Sequence, residues 1–189
     1  MSGVALGILE LEHIARGIFV SDAVVKKAIV RILKSAPVSG GKYLVFLRGG
    51  VAEMEEAMGA GREAAGDALS DSLLLPFAHE QLWPKLCEVA RDGAWSGDDD
   101  AESVMIVETN TVCSVIHAAD AASKCAPVTL RDMQLAVGLS GKAFFTMTGR
   151  LYDIQAACDA AREVAGKHLV DLQTIAQPAE EIRGKLIEP

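Results

Sequence analysis

Two glutamates, Glu10 and Glu108, occupy the same place in two similar stretches, Ile8-Leu9-Glu10 and Ile106-Val107-Glu108. A symmetry-related pair of carboxylates is a known arrangement for general acid–base chemistry. A repeated structural carboxylate, bonded to backbone amides, explains the duplication more simply. The four histidines, His13, His79, His117 and His168, are scattered, and no two share metal-ligand spacing with a cysteine or a carboxylate. Solvated or hydrogen-bonded structural roles are expected for them. Cys87, Cys113, Cys125 and Cys158 show neither a CxxC spacing nor a paired framework, so reduced structural thiols are expected. Ser39-Gly40-Gly41-Lys42 looks like part of a phosphate loop, but it joins two strands and opens no helix. Nucleophile elbow, P-loop, HExxH and dinucleotide fingerprint are all missing. The residue pattern therefore predicts no catalytic site and no enzyme.

Composition narrows the remaining classes. The 189 residues are 50% hydrophobic and only 5% aromatic, with a mean hydropathy of +0.25. Small aliphatic residues favour thin, closely packed elements over a bulky enclosed pocket. A net charge of −8 without a basic run argues against nucleic acid and anionic membrane as partners. No apolar run is long enough to span a bilayer, and the chain opens on a strand pattern without a basic leader, so a soluble cytosolic protein is expected.

Self-similarity organises the whole chain. At the spacing that aligns Glu10 with Glu108, Asp22-Ala23 meets Asp120-Ala121, Lys26 meets Lys124, Ala28 meets Ala126 and Val30 meets Val128. Gly41-Lys42 then meets Gly141-Lys142, with two extra residues in the second copy. From there Gly49 meets Gly149, Arg62-Glu63 meets Arg162-Glu163 and Ala65-Gly66 meets Ala165-Gly166. In the first copy, residues 5–12 read as a strand, and Ser21 or Asp22 caps a helix over 23–28. Residues 30–34 read as a strand, 37–41 as a turn and 42–48 as a strand. Residues 51–65 have helical spacing and end at Gly66, and 69–75 form the last strand. A short helix over 80–89 follows. The fold class expected is α/β in the broad sense, more narrowly α+β: two tandem ferredoxin-like βαββαβ domains, each an antiparallel sheet with helices on one face. The expected boundaries are 1–92 for the first domain, 93–101 for a polar linker and 102–189 for the second.

These residues resemble the tandem-domain trimer proteins of bacterial microcompartment shells. The resemblance rests on Gly7-Ile8-Leu9-Glu10, Asp22-Ala23-Val24-Val25-Lys26-Lys27-Ala28, the hairpin ending in Gly41-Lys42, and Gly49 ahead of the 51–66 helix, with their echoes in the second copy. Leu75-Pro76-Phe77-Ala78-His79 resembles the family's proline-rich segment, and Ile175-Ala176-Gln177-Pro178-Ala179 is a weaker echo. The element order is the unpermuted one of the propanediol-utilisation trimer. The resemblance implies a structural protein in the shell, within the cytoplasm, whose homotrimer is a pseudohexamer tiling with other shell proteins. It implies edge contacts at Lys26, Lys124 and His79. It also implies a central pore for small polar metabolites lined by Val38, Ser39, Gly40 and Gly41 with Gly138, Leu139, Ser140 and Gly141. The propanediol-type trimer holds an iron–sulfur cluster through a cysteine of the first pore loop. Here that position is Ser39, and the second loop carries Leu139, so no cofactor is expected. Phe77 and Gln177 replace the family's arginine between prolines. Two other classes fit a ferredoxin-like module: a trimeric small-molecule sensor, and a redox carrier built on Cys113 or Cys125 around an axis.

Overall fold

The structure, a computed structural model, describes residues 4–86 and 102–183; the linker expected at 93–101 lies outside them. Contacts divide the chain into two compact units. Among the described residues the first holds 4–78 and 136–141, and the second holds 79–86, 102–135 and 142–183.

The first unit is built from β1 (Ala5–Leu11), α1 (Ile14–Lys27), β2 (Arg31–Pro37), β3 (Tyr43–Gly49), α2 (Val51–Ala65) and β4 (Leu69–Leu75). Its four antiparallel strands stand in the order β2-β3-β1-β4. This is the split βαβ arrangement expected from sequence: β3 lies between the two strands that α1 connects, and β1 lies between the two that α2 connects. Alternate residues of each strand enter one core. Ala5, Leu9 and Leu11 of β1 and Tyr43, Val45 and Leu47 of β3 pack with Val20 and Val24 of α1 and with Met54, Ala57, Met58 and Ala65 of α2. The opposite face of β1, carrying Leu6, Ile8 and Glu10, is fully buried as well.

The second unit repeats the pattern. It contains α3 (Leu82–Leu86), β5 (Ser103–Thr109), α4 (Val112–Cys125), β6 (Thr129–Leu135), β7 (Ala143–Gly149), α5 (Leu151–Ala165), β8 (Leu169–Ala176) and α6 (Glu180–Arg183). The sheet order is β6-β7-β5-β8, again antiparallel throughout. Even the irregularities recur. β2 and β6 each carry a bulge after the second residue, and β1 and β5 each shift register next to the repeated glutamate.

One expected boundary needs correcting. α1 starts at Ile14, not at Ala23, and neither Ser21 nor Asp22 caps it. Ser21 is buried mid-helix, where its hydroxyl donates to Gly17 O at 2.9 Å, and Asp22 lies on the exposed face. Small polar side chains favour caps because they bond locally to backbone, and the same capacity lets them bond one turn back inside a helix. The matched helix α4 does begin with a cap: Thr111 Oγ1 accepts from Ser114 N at 3.2 Å. α2 ends on Gly66, as expected, with φ +53°. β2 runs through Pro37, three residues beyond expectation, because an edge strand tolerates a residue without an N–H. The helix after β4 is confined to Leu82–Leu86 among the described residues.

Candidate functional site

The chain's repeated carboxylates bind its repeated lysines. Lys42 Nζ donates to Glu10 Oε1 at 2.9 Å, and Lys142 Nζ donates to Glu108 Oε1 at 2.7 Å. The glutamate and lysine belong to neighbouring strands, since Leu11 pairs with Tyr43 and Thr109 with Ala143. Glu10 is fully buried and Lys42 half-buried, whereas both members of the second pair are more exposed. Burial works to lower the Lys42 pKa, but the hydrogen bond and charge of Glu10, with help from Glu12, outweigh it and hold the ammonium above its ordinary value. A carboxylate tied to a lysine of the same sheet is a structural brace. Glu10 thus has a side-chain partner in Lys42, which sequence reasoning did not name.

Each lysine sits where its hairpin loop returns to the sheet. In the first loop Val38 N donates to Lys42 O at 2.9 Å, and Ser39–Gly41 form a single 3₁₀ turn. Gly40 and Gly41 have φ of +81° and +75°, which L side chains adopt only under strain. The second loop, 136–141, groups with the first unit, and there Gly138 N donates to Ser39 Oγ at 2.9 Å. The two loops run against each other: a Cβ on Gly40 would lie 3.5 Å from Ser140 O, and one on Gly141 would lie 3.5 Å from Ser39 O. So Ser39, Gly40, Gly138, Ser140 and Gly141 come together, with Val38, Gly41 and Leu139 flanking them. Together these residues offer backbone groups and hydroxyls.

A cluster of iron and sulfide needs thiolates. Ser39 presents a hydroxyl already engaged with an amide, and the described cysteines lie elsewhere: Cys113 and Cys125 on α4, Cys158 on α5. Burial pushes the Cys158 thiol up, with the Thr174 hydroxyl opposing more weakly. The residues of the loops do not fit an iron–sulfur cluster. Among the described residues, no group of three histidines, cysteines or acids is placed to hold a metal ion.

Lys26 and Lys124 keep a matched environment. Lys26 Nζ and Lys124 Nζ each bind the aspartate one turn earlier, Asp22 Oδ2 and Asp120 Oδ2, at 2.6 Å. His79 is half-buried; its main-chain N donates to Asp120 Oδ1 at 2.7 Å and its Nδ1 accepts from Gln81 N at 3.4 Å. His168 Nδ1 pairs with Asn110 Oδ1 at 2.8 Å, while His13 stands at the start of α1.

The BMC-domain profile matches residues 5–77 and again residues 103–178. The chain belongs to the BMC-domain family of bacterial microcompartment shell proteins. Its relatives include the shell protein PduT of Citrobacter freundii, 37% identical over 186 residues, which are 97% of this chain and 98% of that one. The carboxysome shell protein CsoS1A of Hydrogenovibrio crunogenus is 32% identical over 87 residues, 44% of this chain but 91% of its own. Among solved structures, a microcompartment protein from Desulfitobacterium hafniense superposes with a TM-score of 0.79 at 31% identity, covering 95% of this chain and 97% of that one. A fused permuted hexameric shell protein of the RMM microcompartment shares the fold, with a TM-score of 0.63 at 20% identity over 86% of this chain and 83% of its own. The tandem BMC chain is a structural shell component, and the family is not an enzymatic one.

Proposed function

We propose that three copies of this chain close head to tail into a ring of six similar domains, and that these plates tile into a microcompartment facet. One observation carries the reading: the two copies of the fold bury opposite surfaces. On α1, Ile14, Ile18 and Phe19 are 42%, 58% and 56% exposed. On α4 the matched Val112 and Ile116 are 0% exposed, and Cys113, Asp120 and Ser123 are buried too. The sheets show the reverse. Ile8 and Glu10 on β1 are fully buried, as is Leu44 of β3, while the matched Ile106, Glu108 and Phe144 are partly exposed. A bare helix face in one copy and a bare sheet face in the other are the two halves of a heterologous contact. Such a contact generates a ring when its rotation closes. An apolar stripe like that of α1 is ordinarily covered in an assembly.

Around the axis of such a ring the Val38–Gly41 and Gly138–Gly141 loops form the rim of a passage. Their glycines allow close backbone approach, and main-chain amides in turns favour small anionic or polar solutes. Lys26, Lys124 and His79 lie at the plate edge, where a long apolar stem with a charged head suits a flat, partly desolvated contact. The loops carry no cluster, and the partners are the chain itself, other shell proteins and small metabolites.

Sedimentation equilibrium of the purified chain, followed by electron microscopy at high concentration, tests the reading. Trimers that form hexagonal sheets or rolled tubes are expected. Ile18→Glu places a charge on the bare α1 stripe and is expected to give monomers with an unchanged circular dichroism spectrum. A native chain that is monomeric at every concentration sinks the proposal.

A further inference from the structure

After β4 the chain passes through His79 into α3, and this short segment is fastened to the open edge of the second unit's sheet. β6 is the outermost strand there. The Gln81 side-chain amide supplies an extra rung: Nε2 donates to Val128 O at 2.9 Å, and Leu130 N donates to Oε1 at 2.7 Å. Lys85 Nζ donates to Arg131 O at 2.6 Å, and His79 N reaches Asp120 Oδ1 at 2.7 Å. Leu82 and Leu86 are buried beneath. Residues 79–86 thus form a clasp over an edge that would otherwise present unpaired amides and carbonyls.

The first unit has the same edge without the clasp. Ile32 pairs with Leu47 as Leu130 pairs with Met147, each one residue before the bulge, so Val30, Ile32 and Leu33 match Val128, Leu130 and Arg131. Among the described residues no side chain bonds to the main chain of those three. Asp22 holds Lys26 through Oδ2, as Asp120 holds Lys124, yet no described residue takes its Oδ1.

The chain also carries a second clasp sequence. Leu6 pairs with Leu75 and Val104 with Ile175, which fixes the match between β4 and β8. Continued at that spacing, Glu80, Gln81, Leu82, Lys85 and Leu86 meet Glu180, Glu181, Ile182, Lys185 and Leu186. α6, Glu180–Arg183, is the counterpart of α3. Neither Ala179 nor Glu181 bonds to β2 of its own chain among the described residues. One exchange between the copies is compensated by another. Thr129 stands between the two groups that Gln81 bonds, and its match on β2 is the exposed Arg31. The neutral glutamine therefore faces threonine, and the acidic Glu181 matches arginine.

We infer that Ala179 and Glu181 of one chain clasp the β2 edge of a second copy of this chain, resting on the ring proposed above. Ala179 N donates to Asp22 Oδ1, and the Glu181 carboxylate accepts from Ile32 N beside the Arg31 guanidinium. An ionised carboxylate has no proton for Val30 O, so the charge of Arg31 stands in for the donor half of the glutamine clasp.

Sedimentation equilibrium on the full chain, with a charge exchange, tests this. Arg31→Glu and Glu181→Arg are each expected to raise the concentration at which trimers half-dissociate by about tenfold, and the double variant to recover to within about threefold of the native chain. Both positions are exposed, so folding is not at stake. Benzoylphenylalanine at position 182 is expected to cross-link to residues 22–36 of another chain. A native trimer in which the single changes have no effect, or the double variant shows no recovery, overturns the clasp and leaves the ring standing. So does a cross-link confined to one chain. A monomeric native chain overturns the ring itself and the clasp with it.

Discussion

Taking the lysine from a lysine–glutamate pair costs little at a surface and much more where the glutamate is buried, and this chain presents both cases with the same residues. Removing Lys42 leaves the fully buried Glu10 without its cation. Lys42→Met is therefore expected to lower the unfolding free energy by about 3 kcal/mol, measured by urea denaturation. Lys142→Met removes the partner of a part-exposed glutamate and is expected to cost the isolated chain under about 1 kcal/mol. Its main effect is instead expected in the proposed trimer, as an increase in dissociation. The raised pKa of Lys42 fixes the pH dependence. Its folded-state value lies above the unfolded one, so the stabilisation is complete below the ordinary lysine value of 10.5 and is lost as pH rises through the folded value. Alkaline denaturation curves should show native stability falling above about pH 10.5, and in Lys42→Met that component should be missing.

At the scale of elements, two glycines inside helices make opposite predictions. A Cβ on Gly17 of α1 would overlap the Tyr43 ring. The same contact is tied by polar bonds, since Ser21 Oγ reaches Ser35 Oγ at 2.7 Å and Ser35 Oγ reaches Tyr43 Oη at 2.9 Å. Gly17→Ala is expected to destabilise by about 1–3 kcal/mol, because α1 must lift off β3. Gly59 of α2 has nothing within 4 Å of an added Cβ, so Gly59→Ala is expected to stabilise by up to about 1 kcal/mol through helix propensity. Thermal melting of the two variants decides both. The elements themselves were unevenly legible. α2 and β4 have the limits that sequence reasoning assigns, because Gly49-Gly50 and Gly66 bracket the helix. The start of α1 was hidden because no side chain caps it, while Ser21 and Asp22 imitate a cap from inside.

For the whole molecule, the proposed ring, which puts the Ser39 loop at a three-fold axis, has a consequence that an isolated chain cannot produce. Ser39→Cys places one thiol per chain, and a ring brings three of them to one point. Anaerobic reconstitution of that variant with iron and sulfide is expected to give visible absorbance, while the native chain stays colourless. A colourless variant that is still trimeric argues against Ser39 at the axis. Gly40 is the poorer site for such a test, because its positive φ strains any side chain placed there.

The sequence alone determined the duplication, the βαββαβ order of each copy, the glycine-lined hairpin turns and the matched positions of aspartate and lysine in the two copies. These features are local or repeat at fixed spacing, so a linear reading captures them. Tertiary structure decided the rest. Glu10 and Lys42 lie far apart in the chain and meet only because β1 and β3 are neighbours. Gln81 finds the β6 edge through main-chain groups, which leave no trace in residue identity. Above all, two copies with matching residues differ in which face is covered: Ile18 is bare and Ile116 is buried. Burial is a property of what surrounds a residue, and no residue states its surroundings.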